Sequence, residues 1–363
     1  MNKLDELINQ LCPDGVEQKQ LQDVLTIKNG RDYKHLSEGD IPVYGSGGIM
    51  GYVDDFAYDK PSVLIPRKGS LDKLYYVDVP FWNVDTIFYT EINVKIVLPK
   101  YVFYVLQSKH LEKLNKAGGV PSLTQAVLNK VSIYVPPLEV QSEIVRILDN
   151  FAELTAELTA ELASRKEQYK YYCEAILLAD NDAKWVRLEE IADISTGSSN
   201  TNEGLDEGLF PFYVRSQEPR RKNEYEYDET AIITAGDGVG VGKVYHYVEG
   251  KYALHQRAYR IHINTEEVMP KYYFYYMKSA FLPYIQKTMF QGSVASIRRP
   301  MLNAFPVPVP TIERQREIVA TLDKFDSLCN DIQSGLPAEI DARQKQYEFY
   351  RDKLLTFKEK AIS

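Results

Sequence analysis

The sequence predicts an α+β chain: two domains of mixed α/β character, joined by two long antiparallel coiled-coil helices with pseudo-two-fold symmetry. Three observations predict it. A segment beginning Pro136-Pro137-Leu138-Glu139-Val140-Gln141, with Ile144, Leu148, Asp149 and Phe151, recurs as Pro310-Thr311-Ile312-Glu313-Arg314-Gln315, with Ile318, Leu322, Asp323 and Phe325, at a shift of 174 (313 − 139). Further on, Arg165, Gln168, Tyr169 and Tyr172 recur as Arg343, Gln346, Tyr347 and Tyr350 at a shift of 178 (343 − 165). Two such blocks in one order mark an internal duplication. The recurring segments space their apolar residues by threes and fours, the signature of an amphipathic helix. The blocks before them are glycine-punctuated and rich in short β-branched and aromatic runs.

Composition sets the bounds. The chain has 363 residues, 44% of them hydrophobic and 26% charged, which suits a soluble globular protein of two or three domains. No apolar run reaches membrane-spanning length. The first ten residues mix Lys3, Asp5 and Glu6 with isolated Leu and Ile, unlike a signal peptide. Cys12, Cys173 and Cys329 are far apart and form no ligand pattern, so free thiols in a reducing cytoplasm are expected. The net charge of −8 weighs mildly against a free-standing nucleic-acid binder, without excluding one, because binding follows the local field.

The elements follow in order. Residues 1–20 read as a short helix closed by the turn signal Cys12-Pro13-Asp14-Gly15, packing near the end of the second long helix. Residues 21–135 form the first irregular domain, with strand-like Ser62–Ile65 and Thr86–Tyr89 and a helix from Pro99 to Lys116. Residues 136–180 form the central long helix, whose seam is Ile144, Leu148, Phe151, Leu158, Leu162, Tyr169, Tyr172 and Ile176. At 1.5 Å per residue, about 40 residues make a rod of roughly 60 Å. Residues 181–309 mirror the first domain: Phe210-Pro211-Phe212-Tyr213 answers Ile41-Pro42-Val43-Tyr44, and Pro270-Lys271-Tyr272 answers Pro99-Lys100-Tyr101. Residues 310–363 form the second long helix, with seam positions Ile318, Leu322, Phe325, Cys329, Ile332, Ile340, Arg343, Tyr347, Tyr350 and Leu354. Ser334-Gly335-Leu336-Pro337 interrupts it, since proline removes a donor and glycine favours unwinding.

This duplicated order resembles the specificity subunit of type I DNA restriction-modification enzymes, usually called HsdS. The resemblance covers nearly the whole chain. It rests on the repeated helix entries and Gln-Tyr-x-x-Tyr ends, on Val43-Tyr44-Gly45-Ser46-Gly47-Gly48, Pro66-Arg67-Lys68-Gly69-Ser70 and Phe81-Trp82-Asn83-Val84-Asp85-Thr86, and on Ala235-Gly236-Asp237-Gly238-Val239-Gly240 and Gly292-Ser293-Val294-Ala295-Ser296. It implies that residues 21–135 and 181–309 are two target-recognition domains, each reading one half of a bipartite double-stranded DNA site. It also implies helices that act as ruler and as dock for two methyltransferase subunits, with a restriction/translocase subunit joining them. S-adenosylmethionine, ATP and Mg are then expected in the partners, and no cofactor, metal or catalytic residue in this chain. The interruption of the second helix is this chain's departure from the pattern.

Loops that carry polar and cationic side chains beside small residues suit base reading, because glycine lets the backbone come close and the major groove shows a distinct donor and acceptor pattern for each base pair. The candidates in the first domain are Ser46, Lys68, Ser70, Lys73, Thr124 and Gln125. In the second they are Arg215, Gln217, Lys243, His255, Gln256, Arg257, Ser296, Arg298 and Arg299. Each has a plainer reading. Lys68 and Lys73 also fit as surface cations, Arg298-Arg299 as a solvated turn, and His255 as a packed histidine. The Tyr272–Tyr276 aromatic run fits a core better than a stacking platform.

Other functions find less support. Gly236–Lys243 has Asp237 where a phosphate-binding loop needs glycine and Val244 where it needs Ser or Thr, and Val241 breaks the dinucleotide pattern. No paired-His motif, nucleophile elbow or Asn/Asp-Pro-Pro-Phe/Tyr motif occurs. A coiled-coil scaffold with protein-binding heads, a nucleotide enzyme built on Gly236–Gly242 and the specificity part of a methylation-only system stand as alternatives.

Overall fold

The computed structural model describes residues 3–115, 121–178, 183–288, 296–331 and 334–360. Lys116, Gly292–Ala295 and Ile332, singled out above, lie outside them. The chain divides into two compact units, Met1–Thr159 with Ile340–Ser363, and Ala160–Glu339. Each unit therefore takes one part of each long helix.

In the first unit, α1 (Lys3–Leu11) leads to β1 (Gln18–Gln20), α2 (Leu21–Val24) and β2 (Leu25–Asn29). The strands β3 (Ile41–Gly45), β4 (Gly48–Val53), β5 (Ser62–Pro66), β6 (Tyr75–Val77), β7 (Trp82–Asn83) and β8 (Ile87–Ile92) follow. Then come α3 (Pro99–Ser108), the helical turn α4 (Gln125–Leu128), β9 (Ser132–Tyr134) and the unbroken α5 (Leu138–Leu178). Two sheets form, one of order β2-β8-β5-β6 and one of order β4-β3-β7, in which β3 and β7 run parallel. β1 pairs with β9. All five residues of β5 are buried, so its run Ser-Val-Leu-Ile-Pro is apolar without alternation. α3 starts at Pro99, where a missing N–H costs nothing. It stops at Ser108 rather than reaching Lys116, because His110 turns left-handed (φ 49°) and only a single 3-10 turn, Leu111–Leu114, follows.

One core gathers Leu4 of α1, Val63 and Ile65 of β5, Tyr101 and Val105 of α3, and Val140, Ile144 and Leu148 of α5, together with Tyr347, Leu355 and Phe357. Phe151 stacks on Tyr350 (5.4 Å between centroids, 19° between planes), so within this unit the start of one long helix lies beside the end of the other. The backbone at Val16 bonds to Lys358 and Lys360, which ties the segment after α1 to the residues beyond that helix. The carbonyls of Lys358 and Glu359 crowd Gly15 (φ +103°), where a Cβ would sit 2.6 Å from an oxygen.

The second unit runs through β10 (Lys184–Arg187), β11 (Ala192–Thr196), β12 (Phe210–Tyr213), β13 (Arg220–Lys222), β14 (Tyr227–Ala235), β15 (Tyr245–Leu254) and β16 (Ala258–Ile263). After these come α6 (Pro270–Thr288), α7 (Arg299–Asn303), β17 (Pro306–Val309), α8 (Ile312–Asn330) and α9 (Leu336–Leu354), the last shared with the first unit. Its six-stranded sheet has the order β11-β16-β14-β15-β12-β13, with β12 and β15 parallel. This is the first unit's strand order with one change. β15 has ten residues and pairs with both β14 and β12, whereas its counterpart is split into β6 and β7, with Pro80 between them unable to donate to a ladder. Tyr272, Tyr273, Tyr275 and Tyr276 are buried in this unit's core with Phe281, Phe305, Ile318 and Leu322.

The duplication extends to individual hydrogen bonds. Gln141 is fully buried; its amide oxygen accepts from the Leu98 N–H (2.8 Å), and its amide nitrogen donates to the Ile96 and Pro136 carbonyls. Gln315 does the same with the Met269 N–H (2.8 Å) and the Glu267 and Pro310 carbonyls. Asp149 pairs with Lys100 and accepts from the Tyr104 hydroxyl (2.6 Å); Asp323 pairs with Lys271 and accepts from the Tyr275 hydroxyl (2.6 Å). Tyr172 stacks on Phe325 as Tyr350 does on Phe151. α8 ends at Asn330 and α9 begins at Leu336, so the second long helix is interrupted. There a Cβ on Gly335 would sit 2.5 Å from the Ser327 carbonyl oxygen.

Candidate nucleic-acid interface

The loops that follow β5 and β14 are built by one set of backbone bonds. The Arg67 N–H donates to Thr86 and the Leu123 N–H to Arg67; the Gly236 N–H donates to Arg257 and the Ile297 N–H to Gly236. Lys68 bridges to Ser122 and Asp237 to Ser296. Gly69 (φ +83°) and Gly238 (φ +80°) come next, each left-handed, the region that favours glycine. The Val84 N–H donates to Tyr44 and the His255 N–H to Tyr213. These bonds place Ser46, Lys68, Ser70, Asp85 and Thr86 at positions equivalent to Arg215, Asp237, Val239, Gln256 and Arg257.

In the first unit the rim brings several of the sequence-derived residues together. The Ser46 N–H donates to Thr86 Oγ1, and the Tyr75 hydroxyl donates to the Ser46 carbonyl. The Lys68 ammonium stands 4.0 Å from Asp85, both largely exposed. Ser70 accepts from the Lys73 N–H through its carbonyl, and Lys73 is exposed. Two candidates have structural tasks here. Thr124 caps α4 by accepting from the Val127 N–H, and the Gln125 amide donates to the Ile27 carbonyl (3.1 Å). The hairpin β3–β4 adds Ile49, Met50 and Tyr52, each more than half exposed.

In the second unit Asp237 is the hub. Its carboxylate accepts from Arg215 at 2.6 Å and from Arg257 at 3.0 Å, and its side chain is 19% exposed against 40% and 62% for the arginines. Burial works against its charge, but the two guanidiniums outweigh it and hold the carboxyl below its ordinary range. The clamp orients the two arginines and leaves them donors to spare. His255 is buried. Its Nδ1 accepts from the Arg257 N–H, and its Nε2 lies 3.0 Å from the Thr201 hydroxyl. Burial first, then the nearby Arg215 charge, lowers its pKa, so it is neutral at pH 7 and shapes the loop. Gln256 is exposed and donates to Asn200 (2.5 Å). Gln217, Lys243, Ser296, Arg298 and Arg299 are exposed; Arg298 sits just before α7 and Arg299 opens it. A concavity of about 400 Å³ lies between Thr201, Arg215, Arg220, Asp237 and Val239.

Sequence reasoning missed Asp85, Thr86, Asp237 and Val239. Asp237 and Val239 lie in a glycine-rich loop that belongs to the family-like motifs and reads as a strand connection near DNA, but neither residue stands out within it; Asp85 and Thr86 stand in a quoted motif whose loop is not connected by sequence to Ser46 and Lys68. Among the described residues, no three or more His, Cys, Asp or Glu side chains converge as a metal site requires. Nor is any described helix long and apolar enough to cross a membrane.

A family described as the type I restriction modification DNA specificity domain matches residues 13–165 and again 181–342. The chain belongs to this family. The two matches fall on the two halves of the duplication. Relatives include the EcoR124I/EcoR124II specificity subunit of Escherichia coli, 30% identical over 98% of this chain and 97% of the relative. Another is a putative type I restriction enzyme specificity subunit of Haemophilus influenzae, 28% identical over 94% of this chain and 96% of the relative. In fold, the chain is similar to the crystal structure of a type I S subunit from M. genitalium (TM-score 0.64, 16% identity, 93% of this chain and 96% of that one). It is also similar to a chain from a study of type I complex assembly and conformational transition (TM-score 0.61, 16% identity, 95% and 98%). Members of the family with these names are specificity subunits, and the paired rims of this chain carry different side chains on equivalent backbone bonds.

Proposed function

We propose that this chain reads a bipartite double-stranded DNA site, one half-site per unit, on behalf of partner subunits that do the chemistry. The observation that carries the reading is the equivalence of the two rims. One backbone scaffold presents Ser46, Lys68, Ser70, Asp85 and Thr86 in one unit and Arg215, Asp237, Val239, Gln256 and Arg257 in the other. A repeated frame with different side chains suits two different short sequences. Arg pairs with guanine O6 and N7, Gln with adenine, and acidic groups accept from cytosine N4. Lys73, Gln217, Lys243, Arg298 and Arg299 are exposed cations and amides suited to phosphates or base edges, and Ser296 sits on the rim itself. Thr124, Gln125 and His255 act by holding the rim in shape.

In this reading the chain performs no catalysis and holds no cofactor. Two methyltransferase subunits bring S-adenosylmethionine and flip out an adenine for N6 methylation. A restriction/translocase subunit brings ATP and Mg, and the complex works in the cytoplasm. The net charge of −8 fits partners that supply much of the phosphate contact, so the chain alone binds DNA weakly.

The test is single-molecule sequencing of host DNA after expressing the chain with its neighbouring methyltransferase. A methylated adenine in a split motif, present only with this chain, is expected. Replacing residues 21–135 with another reader is expected to change one half-site and spare the other. An active, bound methyltransferase that yields no split motif overturns the reading in favour of a protein-binding scaffold.

A further inference from the structure

We propose that Val239 reads the C5-methyl group of a thymine in the half-site met by the Ala160–Glu339 unit; this rests on the DNA-reading function proposed above. Val239 is 95% exposed, more than any other large apolar side chain among the described residues. A lone exposed valine is ordinary on a loose loop. This loop is tied at both ends. The Ile297 N–H donates to Gly236 and the Gly236 N–H to Arg257 on one side; the Val241 N–H donates to Gly238 and the Val244 N–H to Gly240 on the other. Val241 is buried, and at Gly240 a Cβ would sit 2.5 Å from the Arg215 carbonyl oxygen. Gly238, at φ +80° with open space around it, turns the chain outward at the residue before Val239. The apolar tip is therefore held out of the protein on a fixed base, and little conformational freedom is lost when it meets a ligand.

Its neighbours narrow the choice of ligand. Val239 shares its concavity with Arg215, Arg220 and Asp237, and the Asp237 clamp also carries Arg257. An apolar tip among guanidiniums suits a surface that offers both acceptors and an apolar group. The major groove offers acceptors along the base edges and one apolar group, the thymine methyl. The equivalent position in the first unit, after Gly69, is Ser70, a polar group that lacks this preference. The two halves then differ in what they ask of one base pair.

The test uses the assembled complex with its methyltransferase and synthetic duplexes carrying the motif found by sequencing, with each thymine of the second half-site replaced in turn by uracil. Uracil differs from thymine only in lacking the methyl. Burying one such group against a valine gives a preference of about fourfold. Wild type is expected to methylate one uracil duplex about fourfold less efficiently. Val239→Ala is expected to treat thymine and uracil alike there and to accept cytosine more readily, and Val239→Ile to keep the preference. The first half-site should not change, and circular dichroism of the variants should match wild type because the side chain packs against almost nothing. A second half-site without an A·T pair, uracil tolerated at every position, or a Val239→Ala loss equal on thymine and uracil duplexes (the mark of a wedge between bases) would each overturn the inference and leave the split motif standing. Failure of the DNA-reading function shows differently, as no split motif at all.

Discussion

Replacing Gln141 or Gln315 with alanine removes a buried amide that holds the start of a long helix to the segment leading into α3 or α6. Each amide makes three hydrogen bonds to main-chain groups, at 2.8, 3.0 and 2.7 Å for Gln141 and 2.8, 3.0 and 2.9 Å for Gln315. Alanine leaves one N–H and two carbonyls without their partner. A buried group left unsatisfied costs about 1–3 kcal/mol. The Pro136 and Pro310 carbonyls lie in the buried bonds, whereas the other two bonds of each set are only partly buried, where water recovers part of the loss. The expected cost is therefore about 3 kcal/mol for each variant. The two values should agree within about 1 kcal/mol, because the partner sets match group for group. The sets share no residue, so the double variant should lose the sum. Urea unfolding followed by hydrogen exchange checks this, with the Leu98 amide reporting on Gln141→Ala and the Met269 amide on Gln315→Ala. A cost below about 1 kcal/mol, or a large cost at one site and none at the other, would refute the equivalence of the two staples.

Two further outcomes are expected. The Asp237 carboxyl titrates below its ordinary value in the fold, so its contribution is complete above about pH 4 and is lost as pH falls through the folded value. The stability gap between wild type and Asp237→Asn should be widest near pH 6 and narrow as pH falls below about 4; a gap constant with pH would contradict the clamp. Phe151→Ala and Phe325→Ala each remove a stacked partner, of Tyr350 and Tyr172 respectively, and should cost about 2 kcal/mol in thermal unfolding, with unchanged melting the result that counts against these pairs.

Much of the frame is legible in the sequence because its signals are local. On a helix, residues three and four apart share a face, so the seam of α5 can be read by counting: Ile144 and Leu148 are buried, and Phe151, Leu158, Leu162, Tyr169, Tyr172 and Ile176 are partly covered. The interruption of the second helix is equally local: Gly335 stands just before α9, and Pro337 falls in the first turn of α9, where a missing N–H costs nothing. His110 shows the limit. Nothing in its immediate sequence marks it as left-handed, so α3 ends earlier than its apolar spacing suggests.

The candidate interface was legible as a set of loops and illegible as a set of contacts. Gly45-Ser46, Gly69-Ser70 and Gly236–Gly242 stand out as places where a backbone can approach a ligand. That Arg215 and Arg257 share Asp237, that Gln125 is committed to Ile27, and that His255 is buried against Thr201 depend on where distant segments return. No periodicity encodes those returns, because loop partners are set by the register of strands that neither loop contains.

By itself, then, the sequence determined the duplication, the helical seams and the polar loops, each a property of residues close together in the chain. Only the tertiary structure decided which rim residues, lying between the anchors the sequence aligns, are equivalent. The left-handed glycines Gly69 and Gly238 and the bridges Lys68–Ser122 and Asp237–Ser296 align the rims, although the residues between the anchors differ. The physical reason is that main-chain hydrogen bonds hold a loop's path while its side chains are free to vary. The backbone of each rim kept its geometry while the groups it carries diverged.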